Sequence, residues 1–152
     1  MVHEENTIVD LKLEKDFIFK VNLGYEKIKE LFIDETINER SRVWGPDAAH
    51  LLAMAVLGCL NASFIFCLNK RNLTIDDLEA HAEVSFKKNE KGYIRVKKIA
   101  INIIPKTNNP AVLKRINQCM KKMKDDKMFF EESCIITASV REGIDVDVKV
   151  KL

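Results

Sequence analysis

The chain of 152 residues fits one domain and can bury a core without cross-links; 25 Lys and Arg against 23 Asp and Glu leave a formal charge of +2. That balance excludes a strongly basic nucleic-acid binder and an acidic disordered chain, while 47% hydrophobic residues with only 5 Gly and 3 Pro exclude linker-rich or collagenous architecture. The charges are uneven, because the run from Ala48 to Asn69 has no formal charge at all.

The N-terminal segment opens with period-two alternation. Val9, Leu11 and Leu13 alternate with charged residues, and the pattern continues through Phe17, Phe19, Val21 and Leu23. Gly24-Tyr25 is a turn, and residues 27–34 (KIKELFID) form a further strand paired with the one before, giving a β-hairpin region over residues 8–34. A polar loop reaches Trp44, and Asp47 then caps a central helix over residues 47–70. Its uncharged run is long enough for a membrane span. His50, Asn61 and Ser63 interrupt it and only Trp44 offers an aromatic anchor, so a helix buried on all sides is expected. Five acidic residues among the first 16 do not suit a signal peptide. A cytoplasmic location follows as the expectation, with all four cysteines as reduced thiols.

A second hairpin covers residues 78–105, turning at Asn89-Glu90-Lys91-Gly92. Asn109-Pro110 starts an amphipathic helix over residues 109–127, with Val112, Ile116 and Met123 at helical spacing. Residues 134–140 have no clear type. In the final strand, residues 143–151, Ile144, Val146, Val148 and Val150 alternate with charged residues. The expected fold of residues 1–152 is a single α+β domain: a largely antiparallel sheet, a long buried central helix and a second amphipathic helix.

Cys59, Cys67, Cys119 and Cys134 form no Cys-x-x-Cys pair, and His3, His50 and His81 lie at no zinc-like spacing from them, so no metal and no cofactor is expected. Cys67 and Cys119 fit apolar helical patterns as small hydrophobes. Gly58-Cys59 has two readings: a packing notch beside an inert thiol, or a point of close ligand approach to a reactive one. The dipole of its own helix cannot activate Cys59, which lies 12 residues past Asp47, so a low thiol pKa would need a cation from elsewhere. Cys134, beside Glu131 and Glu132, is either inert or a resolving thiol. Seven basic residues between Lys106 and Lys127 form a solvated helix face or meet an anionic surface; aromatic residues for stacking are absent, and neither nucleic acid nor membrane is the expected partner.

Gly45-Pro46-Asp47-Ala48-Ala49-His50-Leu51-Leu52, followed by Leu57-Gly58-Cys59, resembles the central-helix motif of the OsmC/Ohr family, the osmotically inducible protein C and organic hydroperoxide resistance proteins. Cys134-Ile135-Ile136-Thr137-Ala138 before the last alternating segment resembles the second family motif. The resemblance implies an intertwined homodimer and a thiol peroxidase for organic hydroperoxides in oxidative stress defence. It implies Cys59 as the peroxidatic thiolate, Cys134 as the resolving thiol of an intramolecular disulfide, and an external dithiol as reductant. The peroxidase pattern has Pro-Glu where this chain has Ala48-Ala49, and no serine follows Cys134 at the family spacing. The arginine stabilising the thiolate precedes the central helix in the family, which leaves Arg40 or Arg42 for that role or for simple solvation. The missing glutamate also motivates a second reading: a non-catalytic dimer of the same fold that binds a small ligand.

Overall fold

The computed structural model describes residues 7–22, 25–28, 30–37 and 43–152. These residues form an α+β fold with antiparallel sheets and three α-helices. The chain divides into two compact units, residues 1–54 with 84–99, and residues 55–83 with 100–152.

In the first unit, β1 (Asp10–Lys15), β2 (Ile18–Asn22) and β3 (Leu31–Asp34) form an antiparallel meander. Leu11 pairs with Val21 and Leu13 with Phe19, while Phe19 and Val21 pair with Ile33 and Leu31 on the other side. The continuous alternation from Val9 to Leu23 is therefore two strands. Asp16 has a φ of 46°, a left-handed conformation that aspartate tolerates, and it turns the chain back at Asp16-Phe17. Of the expected Gly24-Tyr25 turn, Gly24 lies outside the described residues. Asp34, almost fully buried, accepts from the backbone N–H groups of Thr36 and Trp44. Its own N–H donates to the Pro46 carbonyl at 3.1 Å, which fixes the approach to the central helix.

At Gly45 the backbone passes so close to β3 that a Cβ there would lie 1.8 Å from the Phe32 carbonyl oxygen. The obstacle is backbone, so it cannot swing aside like a side chain. Gly45→Ala should cost at least about 1–3 kcal/mol, the usual range for overpacking. An unchanged urea midpoint would show that the segment relaxes freely.

The central helix α1 (Ala48–Asn69) starts as the sequence predicts. Asp47 Oδ1 accepts the His50 N–H at 2.9 Å, and Glu35 accepts the Ala48 N–H, placing two carboxylates at the positive end of the helix. Its mean hydropathy of 2.3 over a membrane-length window would suffice for a span. Among the described residues one stripe of α1 is buried (Ala53, Val56, Leu60, Ser63, Phe64, Cys67, Leu68), whereas Met54, Ile65 and Phe66 are exposed. The exposed residues lie where the expected partner copy would cover the helix.

A two-stranded hairpin joins β4 (Asp77–Lys88) to β5 (Ile94–Lys106). Its turn is the predicted one: Asn89 Oδ1 accepts from the N–H groups of Lys91 and Tyr93, and Gly92 takes a φ of 82°.

In the second unit, Asn109 caps α2 (Pro110–Cys119) through hydrogen bonds from Ala111 and Val112, with Pro110 at the first helical position. The helix stops eight residues short of the expected end at residue 127. Lys122 and Met128 form an isolated antiparallel bridge around a turn in which Asp126 has a φ of 63°, and Asp125 Oδ1 accepts the Lys127 N–H. The Asp-Asp pair favours this turn over another helical one. A 3-10 helix (Phe129–Ser133) and α3 (Ile135–Glu142) follow. The expected strand over residues 143–151 is corrected as well. Those residues form no strand, and Ile144, Val146, Val148 and Val150 are each at least 65% exposed. An alternating segment becomes a strand only where a sheet edge receives it.

Leu60 and Leu68 of α1 and Val112 and Ile116 of α2 are buried in this unit, and Phe64 of α1 stands edge-on to Phe130 of the 3-10 helix at 5.4 Å. Cys67 and Cys119, expected to be inert thiols, form a disulfide between the ends of α1 and α2. Both are buried, and the helices bring their Cα atoms to 6.1 Å, within disulfide reach. Periodicity placed each cysteine on an apolar face but could not show that the two faces meet.

Candidate thiol site

Cys59 lies on the fourth turn of α1 between the buried Val56 and Leu60 and is itself only half-buried. Cys134 is fully buried and is the N-cap of α3. The chain turns there because the Cys134 N–H bonds back to the Glu131 carbonyl at 3.0 Å, closing the 3-10 helix. The Cys134 carbonyl then accepts the Ala138 N–H and opens α3. The Cys134 thiol donates to Thr137 Oγ1 at 3.0 Å and accepts the Thr137 N–H at 3.4 Å. Glu131, which the sequence suggested as a negative neighbour of Cys134, is held instead by Arg141 at 2.6 Å and by the Met128 N–H.

The two thiols predicted from the sequence lie close enough to influence one another. The Cys134 thiol and the backbone N–H groups of Ile136 and Ile135, in the first turn of α3, all bear on the Cys59 sulfur. Burial is the main reason that the Cys59 pKa stands above the ordinary thiol value. The Ile136 and Ile135 N–H groups pull it down, while the hydrogen bond and charge of Cys134 push it up. Protein packing alone thus keeps Cys59 protonated at neutral pH, beside two donors ready to receive a thiolate.

Sequence reasoning missed α3. The dipole of α1 cannot reach Cys59, but α3 presents its N-terminal N–H groups directly to that sulfur. Ser, Thr, Asp or Asn would have flagged the helix start; cysteine is a rare cap, so residues 134–140 gave no signal. Arg40 and Arg42 both lie outside the described residues. Among the described residues, no group of three or more His, Cys, Asp or Glu could hold a metal.

Alkylation of Cys59 by iodoacetamide should therefore be slow at pH 7 and climb with pH, with a midpoint above about 8.5, the ordinary thiol value. Cys134→Ala removes an influence that raises the pKa, so its midpoint should move down. A wild-type midpoint below the ordinary value would show that a cation reaches the sulfur.

No curated protein matches the chain. Solved structures do. An OsmC-like protein of Mycoplasma pneumoniae aligns at a TM-score of 0.66 with 14% identity, over 91% of this chain and 89% of that one. A Psychrobacter arcticus 273-4 protein named for osmotic stress induction and detoxification response aligns at 0.63 with 12% identity, over 91% of both chains. A hypothetical protein of Aquifex aeolicus VF5 aligns at 0.56 with 18% identity, over 91% and 89%. These similarities concern the fold. The sequence itself matches the OsmC-like protein profile over residues 39–149, a span that runs from before α1 through both cysteines of the site. With that match over most of its length, this chain belongs to the OsmC-like protein family.

Proposed function

We propose that the protein is a thiol peroxidase that reduces organic hydroperoxides, with Cys59 as the attacking thiol and Cys134 as the resolving one. The observation that supports this reading is the nearness of a half-buried thiol to a fully buried one at the N-terminus of α3. Accessibility assigns the roles: Cys59 can meet a substrate, whereas Cys134 meets Cys59.

In the first step the Cys59 thiolate attacks one peroxide oxygen and the O–O bond breaks. Cys59 becomes a sulfenic acid, and the alkoxide leaves with a proton as the alcohol. The N–H groups of Ile135 and Ile136 stabilise the negative sulfur before attack. In the second step the Cys134 sulfur attacks the sulfenic sulfur, forming the Cys59–Cys134 disulfide and releasing water. An external dithiol then reduces the disulfide and is itself oxidised. With Ala49 in place of the family's glutamate, an arginine before α1 would lack its usual holder, so a modest rate is expected. Consumption of cumene hydroperoxide by the reduced protein with dithiothreitol tests the reading; a rate no higher than that of free cysteine would leave a ligand-binding role for the same fold.

A homodimer belongs to this reading. Two features support it: the exposed apolar residues of α1, where Gly58 also has open space, and the alternating segment 144–150, which has no strand partner among the described residues. A strand pairing with the second copy would cover the apolar side of that segment. Truncation after Gly143 should convert the dimer to monomer in analytical ultracentrifugation; a dimer that survives the truncation would place the interface on α1 alone.

A further inference from the structure

Arg115, on α2, is 8% exposed. Its Nε and Nη2 both donate to the Cys67 carbonyl, at 3.0 and 2.8 Å, and its Nη1 donates to Gln118 Oε1 at 3.2 Å. These partners cap the end of α1, but they are neutral. Guanidinium cannot shed its proton inside a protein, so the buried charge persists. Among the described residues no carboxylate stands at ion-pair distance from it, and burying a charge without a counter-charge is costly.

Arg115 forms one wall of an open cavity of about 380 Å³, lined also by Gln118, Lys121, Lys122, Met123 and Phe129. No acidic residue lines it. Lys122 is balanced by Asp126 at 3.4 Å, whereas Lys121 has no ion pair among the described residues. Two uncompensated positive charges therefore face the same space, with Met123 and Phe129 as its apolar side. The walls are held in place. The Cys67–Cys119 disulfide pins the end of α2, and the Phe129 N–H bonds to the Lys121 carbonyl at 2.9 Å. None of the lining residues belongs to the thiol site.

We propose that this cavity binds a small organic phosphate monoester. The dianion matches two free positive charges where a carboxylate would match one. The phosphate would lie between the two unused N–H groups of Arg115 and the Lys121 ammonium, with its organic part on Met123 and Phe129. The cavity volume suits a small molecule, and the lining has one aromatic ring rather than the stacking series of a nucleic-acid channel. The site stands independently of the peroxidase reading.

The test is isothermal titration calorimetry of the full-length oxidised protein with phenyl phosphate at low ionic strength. Expected is saturable binding of one ligand per chain in the submillimolar range, tightening as pH rises through about 6, where the phosphate takes its second charge. Benzoate should bind more weakly. Lys121→Gln, at an exposed position that leaves the core intact, should weaken binding about tenfold, the worth of one charge-assisted contact. Lys114→Gln, on α2 but outside the lining, should change nothing. Absence of binding at millimolar phenyl phosphate, or equal losses in the two lysine variants, would overturn the proposal. So would preferential binding of duplex DNA or anionic vesicles that is lost equally in both.

Discussion

Cys59→Ser should lower hydroperoxide turnover by about a thousandfold or more, since removing a covalent nucleophile leaves nothing to carry the oxygen atom. Serine keeps the size of the side chain, and the position is only half-buried, so folding should survive and the loss can be read as chemistry. The Cys134→Ser variant behaves differently. Its Cys59 can still attack peroxide once but has no thiol to expel water from the sulfenic acid. A single turnover followed by accumulation of a dimedone-reactive Cys59 is expected. Because serine is a preferred helix cap, this variant should also preserve the start of α3. Loss of the first turnover in Cys134→Ser would mean that Cys134 serves the reactivity of Cys59 rather than its resolution.

The second large effect concerns stability. The Cys67–Cys119 bond closes a loop of 52 residues, for which loop-closure entropy gives about 4 kcal/mol at most and measured disulfides commonly about 2–4. Both sulfurs are buried, so reduction leaves two thiols in the same packed space and tests the cross-link rather than a cavity. Dithiothreitol should lower the unfolding midpoint of the wild type by several degrees, and Cys67→Ser/Cys119→Ser should match that loss and be insensitive to dithiothreitol. Arg115 adds to the effect, because its Nε and Nη2 hold the carbonyl of Cys67 itself. Equal midpoints with and without reductant would mean that packing alone secures the two helix ends.

Much of the fold was readable because local signals and tertiary structure agree. Asp47 at the start of α1, Asn109-Pro110 at the start of α2 and the turn at Asn89 to Gly92 are each fixed by a side chain bonding to nearby backbone. The nearness of Cys59 to Cys134 was reachable through the family motifs alone, since 75 positions separate them. The misses have a common cause. Whether residues 143–151 are a strand and whether Cys67 meets Cys119 are questions about partners distant in sequence or outside the chain. Alternation and helical spacing report which face is apolar, not what covers it. Two errors were local instead: α2 ends at Cys119 and gives way to the turn at Asp125 and Asp126, although the Lys and Met spacing continues past it, and a cysteine cap hid α3.

The most direct measurement is peptide mapping of the protein after treatment with one equivalent of cumene hydroperoxide, the Cys67–Cys119 bond serving as an internal reference. Prior reduction of Cys59 and Cys134 is confirmed by alkylation of an untreated sample. A new disulfide between the peptides carrying Cys59 and Cys134, formed in step with loss of the peroxide, is the predicted result. Persistence of both thiols while peroxide remains, or over-oxidation of Cys59 with Cys134 untouched, would contradict a two-cysteine peroxidase.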